Sequence, residues 1–508
     1  MIELSSLISR HARYRGDAIA VVFEEQRLSW TQFAARVAQV GHMLRENGIG
    51  RGDKVATLCG NSLELLELYW AVPTIGAVLV PLSPLLLPSG VASLLAGSEA
   101  RCLVAQAAML PVLSDIRDRL PPSVIIIGAQ GGGGFVDYAE ATAAQPAVIE
   151  PAAVDDESLF NNMFTSGTTG EPKGIMHSHK VRALYGSLMA AAFRMTPESR
   201  TLHTGAIVFN GAFVTLMPTF LLGATYVLER QFEPAGFVDT VQAQGITHIM
   251  MVPAQIVALL GSPCFDPSRL ASLQCILSLG APLLQKDKDR LNAAMPGRLY
   301  ELYGLTEGFI TILDRDDAVR KSGSVGVPPP LSSIRVMRDD GTAAGPGESG
   351  EIIGRGPLMM SGYFGRPDLT AQTVRDGWIY SGDIGYLDED GYLYLVDRKK
   401  DMIDSGGVKV YPRDIEEIAA RHADVREVAV FGVPDERWGE TPLAAIVLRE
   451  GATVGPEALR DWINERVSAR YQRVSAVVVM PDFPRSAAGK TLKRELREPY
   501  WAATRRRI

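Results

Sequence analysis

The segment TSGTTGEPKG, Thr165 to Gly174, packs three glycines, four hydroxyl side chains and one lysine into ten residues. Glycine permits positive φ and lets successive backbone N–H groups converge on an anion. With Gly167 and Gly170 supplying that freedom, Thr165, Ser166, Thr168 and Thr169 supplying donors and Lys173 a point charge, the stretch has the chemistry of a polyphosphate cradle. Its spacing is not that of the Walker loop, which needs Gly-x4-Gly-Lys-[Ser/Thr] at the start of a helix. Lys173 follows a proline and precedes Gly174, so no helix start sits directly behind it. A mobile surface loop would have the same composition, because Gly, Ser and Thr favour turns. The rest of the chain has to decide between the two.

Three further segments concentrate glycine and polar residues. In YELYGLTEG, the adjacent Thr306 and Glu307 could meet a phosphate oxygen and its Mg²⁺, since Mg²⁺ takes one or two carboxylates plus phosphate oxygens. In IYSGDIGY, Asp383 lies in a glycine-flanked stretch, where a carboxylate can accept hydrogen bonds from a diol such as ribose. In PRSAAGKTLKREL, Lys490 follows a small-residue run that suits a lysine entering and leaving an anionic site. Taken singly, each also reads as a turn, a capping acid or a solvated lysine. His177 and His179 lack the i, i+4 helical spacing of a zinc pair and read as structural supports.

These residues need a frame to hold them. At 508 residues, with 46% apolar and 21% charged residues, the chain is long enough for several domains and has a globular composition. A net charge of −7 argues against nonspecific nucleic-acid binding but leaves anionic small molecules open. Cys59, Cys102, Cys264 and Cys275 are too scattered for a zinc site or a disulfide framework. The opening residues lack a signal-peptide pattern. The apolar tract 71–88 is broken by four prolines and predicts a helix running into a buried strand rather than a membrane span. A cytoplasmic location is expected. Helical and strand patterns alternate, which points to α/β architecture. Ser29 with Gln32 predicts a capping box, followed by Phe33, Val37, Val40 and Leu44 on one helix face, with Gly48 as the stop. CLVAQ and SVIIIG predict short buried strands, and GGGG at 131–134 a loop. The stretch 144–158 predicts a connection leading into the strand LFNNMF, which places the glycine-rich loop directly after a strand. Beyond about residue 400 the pattern is that of a compact α+β module, with a helix in YPRDIEEIAARHADV, strands in EVAVFGV and LAAIVLR, and a helix in PEALRDWINERV.

Together, in this order and spacing, these segments resemble the adenylate-forming acyl-CoA synthetase superfamily over nearly the whole chain. The resemblance implies a large N-terminal α/β domain, 1–399, of layered β-sheets and helices with a β-barrel-like subdomain. It also implies a small mobile α+β C-terminal domain, 400–508, hinged near Lys400. It implies that TSGTTGEPKG grips the ATP phosphates and that Gly280, Ala281 and Pro282 in SLGAPL wall the adenine pocket, with Tyr303 stacking on the base. Thr306 would touch the α-phosphate, Glu307 would hold Mg²⁺, and Asp383 with Arg398 would hold the ribose. Lys490 would bridge the acid and the α-phosphate, and Gly406 and Gly407 would lie beside the pantetheine of coenzyme A. Phe209 stands where the family often has histidine. Phe209, Asn210, Gly211, Gly280, Gly308 and Phe309 are expected near the acid, the small ones leaving room for a bulky or extended chain. No cluster of arginines demands a second carboxylate. The implied activity is AMP-forming acid–CoA ligation, with a medium- or long-chain fatty acid preferred over an aryl acid. Loading a separate carrier protein, or sensing an acyl-adenylate without turnover, are the alternatives. ATP, Mg²⁺, coenzyme A and a carboxylic acid are the implied small molecules, and a homodimer is left open.

Overall fold

The computed structural model describes residues 4–129, 134–165, 173–398, 401–405, 408–485 and 491–502. Its larger part is built on two eight-stranded sheets. One runs in the order Ile310–Leu313, Leu299–Gly304, Cys275–Leu279, His248–Met251, Arg200–His203, Thr225–Leu228, Ile19–Phe23, Gln26–Ser29, parallel except at its two edges. The other runs Gly362–Tyr363, Lys173–Ser178, Leu159–Thr165, Val78–Leu82, Lys54–Leu58, Ala100–Gln106, Ser123–Ile127, Val136–Asp137, antiparallel only at its first two pairings.

Strand alternation explains how these sheets stack. Successive side chains point to opposite faces, so a parallel strand covered on both sides feeds two cores. Val55, Val104 and Ile125 of the second sheet share one core with Val21, Met250 and Leu277 of the first. Their neighbours Ala56, Leu103 and Ile126 face a second core under the helix Pro88–Ser98. Val22, Ile249 and Ile276 face a third, under Pro234–Gln244, Pro253–Gly261 and Gln285–Ala294. Between the sheets lie the helices Trp30–Glu46, Leu63–Thr74, His179–Ala192 and Phe213–Leu222. The result is five alternating layers.

The local expectations are met where capping and periodicity carried them. Ser29 accepts from the Gln32 N–H at 3.3 Å while its own N–H donates to the Gln32 side chain at 2.9 Å, closing the capping box. Phe33, Val37, Val40 and Leu44 are buried, and Gly48 follows the helix end with φ +76°. The tract 71–88 is the end of one helix, the strand Val78–Leu82 and the start of another. Among the described residues no helix is long and apolar enough to cross a membrane. The helix Leu63–Thr74 is buried on every side, which is why its sequence has no polar face. Its Glu67 is tied to Arg36 and accepts from the Tyr138 hydroxyl at 2.7 Å; burial nevertheless pushes its carboxyl up to about 7.

A third, five-stranded antiparallel sheet, 333–398, packs Phe309, Val325, Val336, Ile352, Ile379 and Leu393 into a core of its own. The C-terminal part has another five-stranded sheet. The helices Pro412–Ala419 and Pro456–Asn464 cover one face through Ile415, Ala419, Leu459 and Ile463. The helix Lys493–Ala502 covers the other through Leu496. Polar contacts join it to the larger part: Lys286 Nζ donates to the Ala420 carbonyl at 2.6 Å and Lys409 pairs with Asp339 at 3.1 Å.

Candidate active site

The expected site residues gather beyond the carboxyl ends of the first sheet's parallel strands, where open α/β sheets bind ligands. The chain leaves the strand Arg200–His203 towards Thr225–Leu228 on one side and later returns to His248–Met251 on the other, so that strand marks the switch in winding direction. Phe209, Asn210 and Gly211 follow it. Gly280, Ala281 and Pro282 follow Cys275–Leu279 and are exposed. Tyr303 lies near the end of the adjoining strand, where Leu279 pairs with Leu302, so Gly280 to Pro282 leave the sheet beside the Tyr303 ring.

The Tyr303 hydroxyl donates to Asp383 Oδ2 at 2.8 Å. Arg398 stands opposite Asp383 in the antiparallel pairing, its Nε 3.5 Å from Oδ1, and the Asp383 N–H donates to Ser381 Oγ at 3.0 Å. Three residues expected around adenosine are thus brought together from two sheets. Burial, and next the negative Asp383, hold the Tyr303 phenol neutral, well above its ordinary pKa.

The glycine-rich loop joins two antiparallel strands, with Lys173 pairing opposite Thr165. This is a hairpin, unlike a Walker strand–loop–helix, as the proline before Lys173 suggested. Ser166, Gly167, Thr168, Thr169 and Gly170 lie outside the described residues, as do Lys400, Gly406, Gly407 and Lys490; of Thr165 only the strand position is described. Ser405 and Val408, which flank the glycine pair, are partners in a hairpin, and Arg485 and Thr491 bridge across the segment that holds Lys490.

Two connections were not visible in the sequence. Tyr363 lies on the two-residue strand that pairs with the return strand of the hairpin. Lys173 Nζ is 5.4 Å from its ring centroid, and its hydroxyl donates to Glu307 Oε1 at 2.7 Å. Lys173 and Glu307, expected at the phosphates and at Mg²⁺, therefore meet at one tyrosine. The Met360 N–H donates to the Glu307 carbonyl at 2.8 Å and fixes the turn. The second connection runs through His177. Its Nε2–H donates to the Thr306 carbonyl at 2.9 Å, which leaves Nδ1 to accept from Arg182 Nη2 at 3.2 Å. Burial, reinforced by the Arg182 charge, keeps this imidazole neutral. Arg182 itself is fully buried; its Nε donates to Asn161 Oδ1 and its Nη2 to Asn210 Oδ1, both at 2.8 Å.

Three expectations for the acid pocket acquire a different physical basis. Gly308 is small because its backbone is crowded: at φ +118° an added Cβ would lie 2.1 Å from the Leu358 carbonyl oxygen. Gly280 is required by its φ of +95°. Phe309 is 1% exposed within the core of the third sheet and meets Tyr303 edge-on, so its side chain braces Tyr303 from within that core. At Gly211 an added Cβ would come within 3.0 Å of the Leu279 side chain and 3.7 Å of Met250, both apolar.

Residues 8–364 match the model of the AMP-binding enzyme family, and residues 414–490 match the AMP-binding enzyme C-terminal domain. The chain belongs to this family. A feruloyl-CoA synthase from Amycolatopsis sp. is 34% identical to this AMP-binding enzyme, covering 98% of this chain and 99% of its own. A long-chain-fatty-acid–CoA ligase from Mycobacterium tuberculosis is 32% identical, covering 94% of each. The ATP-bound crystal structure of MatB from Rhodopseudomonas palustris has a TM-score of 0.89 at 28% identity, covering 98% of this chain and 99% of that one. This AMP-binding enzyme is an acid–thiol ligase of the AMP-forming acyl-CoA synthetase type.

Proposed function

We propose that this ligase activates an aryl carboxylic acid with ATP, giving an aryl-adenylate and pyrophosphate, and then passes the acyl group to the thiol of coenzyme A. The observation that carries the aryl reading is that Gly280 and Gly308 are set by backbone demands and Gly211 already abuts Leu279. These three glycines were expected to leave room for a bulky or extended chain, and at Gly211 and Gly308 neighbours already lie within 3.0 Å of where a Cβ would stand. A medium- or long-chain fatty acid is the second reading, favoured by the apolar Phe209, Leu279 and Met250 around the same segment.

The chemistry follows from where charge has to be met. A carboxylate is a poor electrophile, and transfer of AMP turns its oxygen into a stabilised leaving group. Tyr303 and Gly280 to Pro282 would hold the base, and Asp383 with Arg398 the ribose. Lys173 would meet the phosphate tail and Thr306 the α-phosphate. Glu307 suits Mg²⁺, because Tyr363 occupies Oε1 and leaves Oε2 for a metal that is otherwise bound by phosphate oxygens. When bound, that ion would offset phosphate charge. Lys490 would bring a cation between the acid and the α-phosphate, which is electrostatic stabilisation where charge develops. A rotation of the C-terminal domain about Lys400 would then withdraw Lys490 and present Gly406 and Gly407 to the thiol. The interdomain contacts described above are polar, which suits such a rotation.

The test is AMP and pyrophosphate release with ATP and Mg²⁺ across matched aryl and alkyl acids, with and without coenzyme A. AMP release that needs an aryl acid and coenzyme A supports the proposal, and alkyl acids as the better substrates overturn the aryl reading. Acid-dependent pyrophosphate release without any CoA ester would point to a carrier protein as acceptor. Lys490→Ala is expected to lower adenylate formation ~10²–10³-fold while sparing thioester formation from supplied acyl-adenylate. Equal loss in both halves removes Lys490 from that role.

A further inference from the structure

Arg182 is a buried cation with only neutral partners. The helix His179–Ala192 carries it into the core between the two large sheets. Its guanidinium donates to Asn161, Asn210 and His177 and lies 4.0 Å from the Phe213 ring centroid and 4.9 Å from that of Tyr185. No carboxylate pairs with it, and Nη1 has no hydrogen-bond partner among the described residues. Burial lowers its pKa to about 10, so it stays charged at neutral pH. Burying an ion without a counter-ion is expensive, and an apolar side chain of similar volume would fill this space more favourably. A structural role alone does not account for the charge.

What the charge does is orient its acceptors. An Asn side chain offers one acceptor and one donor group, and its neighbours decide which points where. At Asn210 the cation claims Oδ1, so the amide NH2 is turned the other way. Asn210 is half-buried, between Phe209 and Gly211 on the segment beyond the switch strand, with Leu279 and Met250 beside Gly211. An otherwise apolar wall is thereby given one fixed donor. The same Nη2 that holds Asn210 also donates to His177, whose Nε2–H reaches the Thr306 carbonyl, so the guanidinium ties this wall to the turn carrying Thr306 and Glu307.

We infer that Arg182 is a positioning residue that fixes the Asn210 amide as a hydrogen-bond donor to the acid. The class of acid taken is then an aryl acid bearing an acceptor oxygen on its ring, a hydroxyl, methoxyl or carbonyl. This rests on the aryl-acid ligase reading and goes further by naming the group recognised and the two residues that recognise it. A site built to donate to an oxygen discriminates strongly against the analogue lacking it, because its donor is then left unpaired.

The experiment compares pairs of aryl acids that differ only in a ring oxygen, by acid-dependent pyrophosphate release from the full chain. Wild-type enzyme is expected to prefer the oxygen-bearing member by ~10-fold or more in kcat/KM. Asn210→Asp keeps the acceptor for Arg182 and removes the NH2 donor, so that ratio falls to one or below while the KM for ATP holds. Arg182→Met frees the Asn210 amide to turn and lowers the same ratio; should it fail to fold, Asn210→Asp carries the test. A wild-type ratio near one, or a ratio that Asn210→Asp leaves intact, overturns the inference. No pyrophosphate release with any acid would instead count against the ligase reading itself.

Discussion

On the side proposed to hold the nucleotide, Tyr303, Asp383, Arg398 and Ser381 hold one another at hydrogen-bond or ion-pair distance, at the rim between two sheets. On the acid side, the polar groups lie within the layered core and are met only in part. Arg182 has no anion, and His203, on the strand that leads towards Phe209, has no hydrogen-bond partner on either ring nitrogen among the described residues. The first arrangement is rigid before any ligand arrives and suits a nucleotide that every turnover shares. The second concentrates unspent hydrogen-bonding capacity on the side where the acid is proposed to bind. The contrast teaches where selectivity resides: a site with nothing left unpaired can only bind, whereas one with donors in reserve can discriminate.

The sharpest way to break that comparison is at Asp383. Asp383→Ala removes the acceptor shared by Tyr303 and Arg398 and the group meant for the ribose. Charge-assisted hydrogen bonds are worth about 1.5–3 kcal/mol each, so the KM for ATP is expected to rise ~100-fold, with the KM for the acid nearly unchanged. A comparable rise in both would show that the two sides are not separable. Tyr363→Phe should have a smaller effect. It keeps the ring beside Lys173 but frees Glu307, and a ~10-fold fall in kcat, with a raised Mg²⁺ requirement in initial-rate assays, is expected from one lost charged bond. An unchanged Mg²⁺ dependence would separate Tyr363 from the metal carboxylate.

The last test reads stability rather than catalysis and concerns His203. Burial pushes the His203 imidazole down to about 4. The unfolded chain therefore binds more protons between about pH 6.5 and 4, and the stability that His203 contributes above that window is lost as pH falls through it. Glu67, pushed up to about 7, and Asp397, pushed up to about 6, act with the opposite sign. Their folded forms hold the proton, so they favour the folded state as pH falls. His203→Phe should therefore gain on wild type by ~2 kcal/mol between pH 7 and pH 5, read from denaturant melts at each pH. Parallel curves would mean that His203 is not buried neutral.

Much of this was legible in the chain itself, and the exceptions share a cause. Runs such as TSGTTGEPKG and YELYGLTEG signal chemistry because their composition is unusual, and the capping box at Ser29 is decided within four residues. Tyr363 and Arg182 give no such signal, since a tyrosine in a short strand and an arginine on a helix are unremarkable until a partner arrives. Those partners are distant in sequence: Glu307 is 56 positions from Tyr363, and Asn210 is 28 from Arg182. The glycines misled in another way. At Gly308 and Gly280 the missing side chain reflects the backbone's own demands, which only the fold reveals. Phe309 was expected near the acid together with Gly308, yet its side chain turns into the neighbouring core.

One core draws side chains from Leu4 through to Tyr363, whereas the two cores of the C-terminal part draw only on residues from Ile403 onward. A recombination event inside the first 360 or so positions would splice two half-cores that had never packed together. A crossover in the short stretch before Ile403 would exchange a module with its own cores, leaving surface contacts such as Lys286 to Ala420 and Arg413 to Leu395 to be remade. Inheritance can therefore shuffle the C-terminal module far more readily than any portion of the layered part that precedes it.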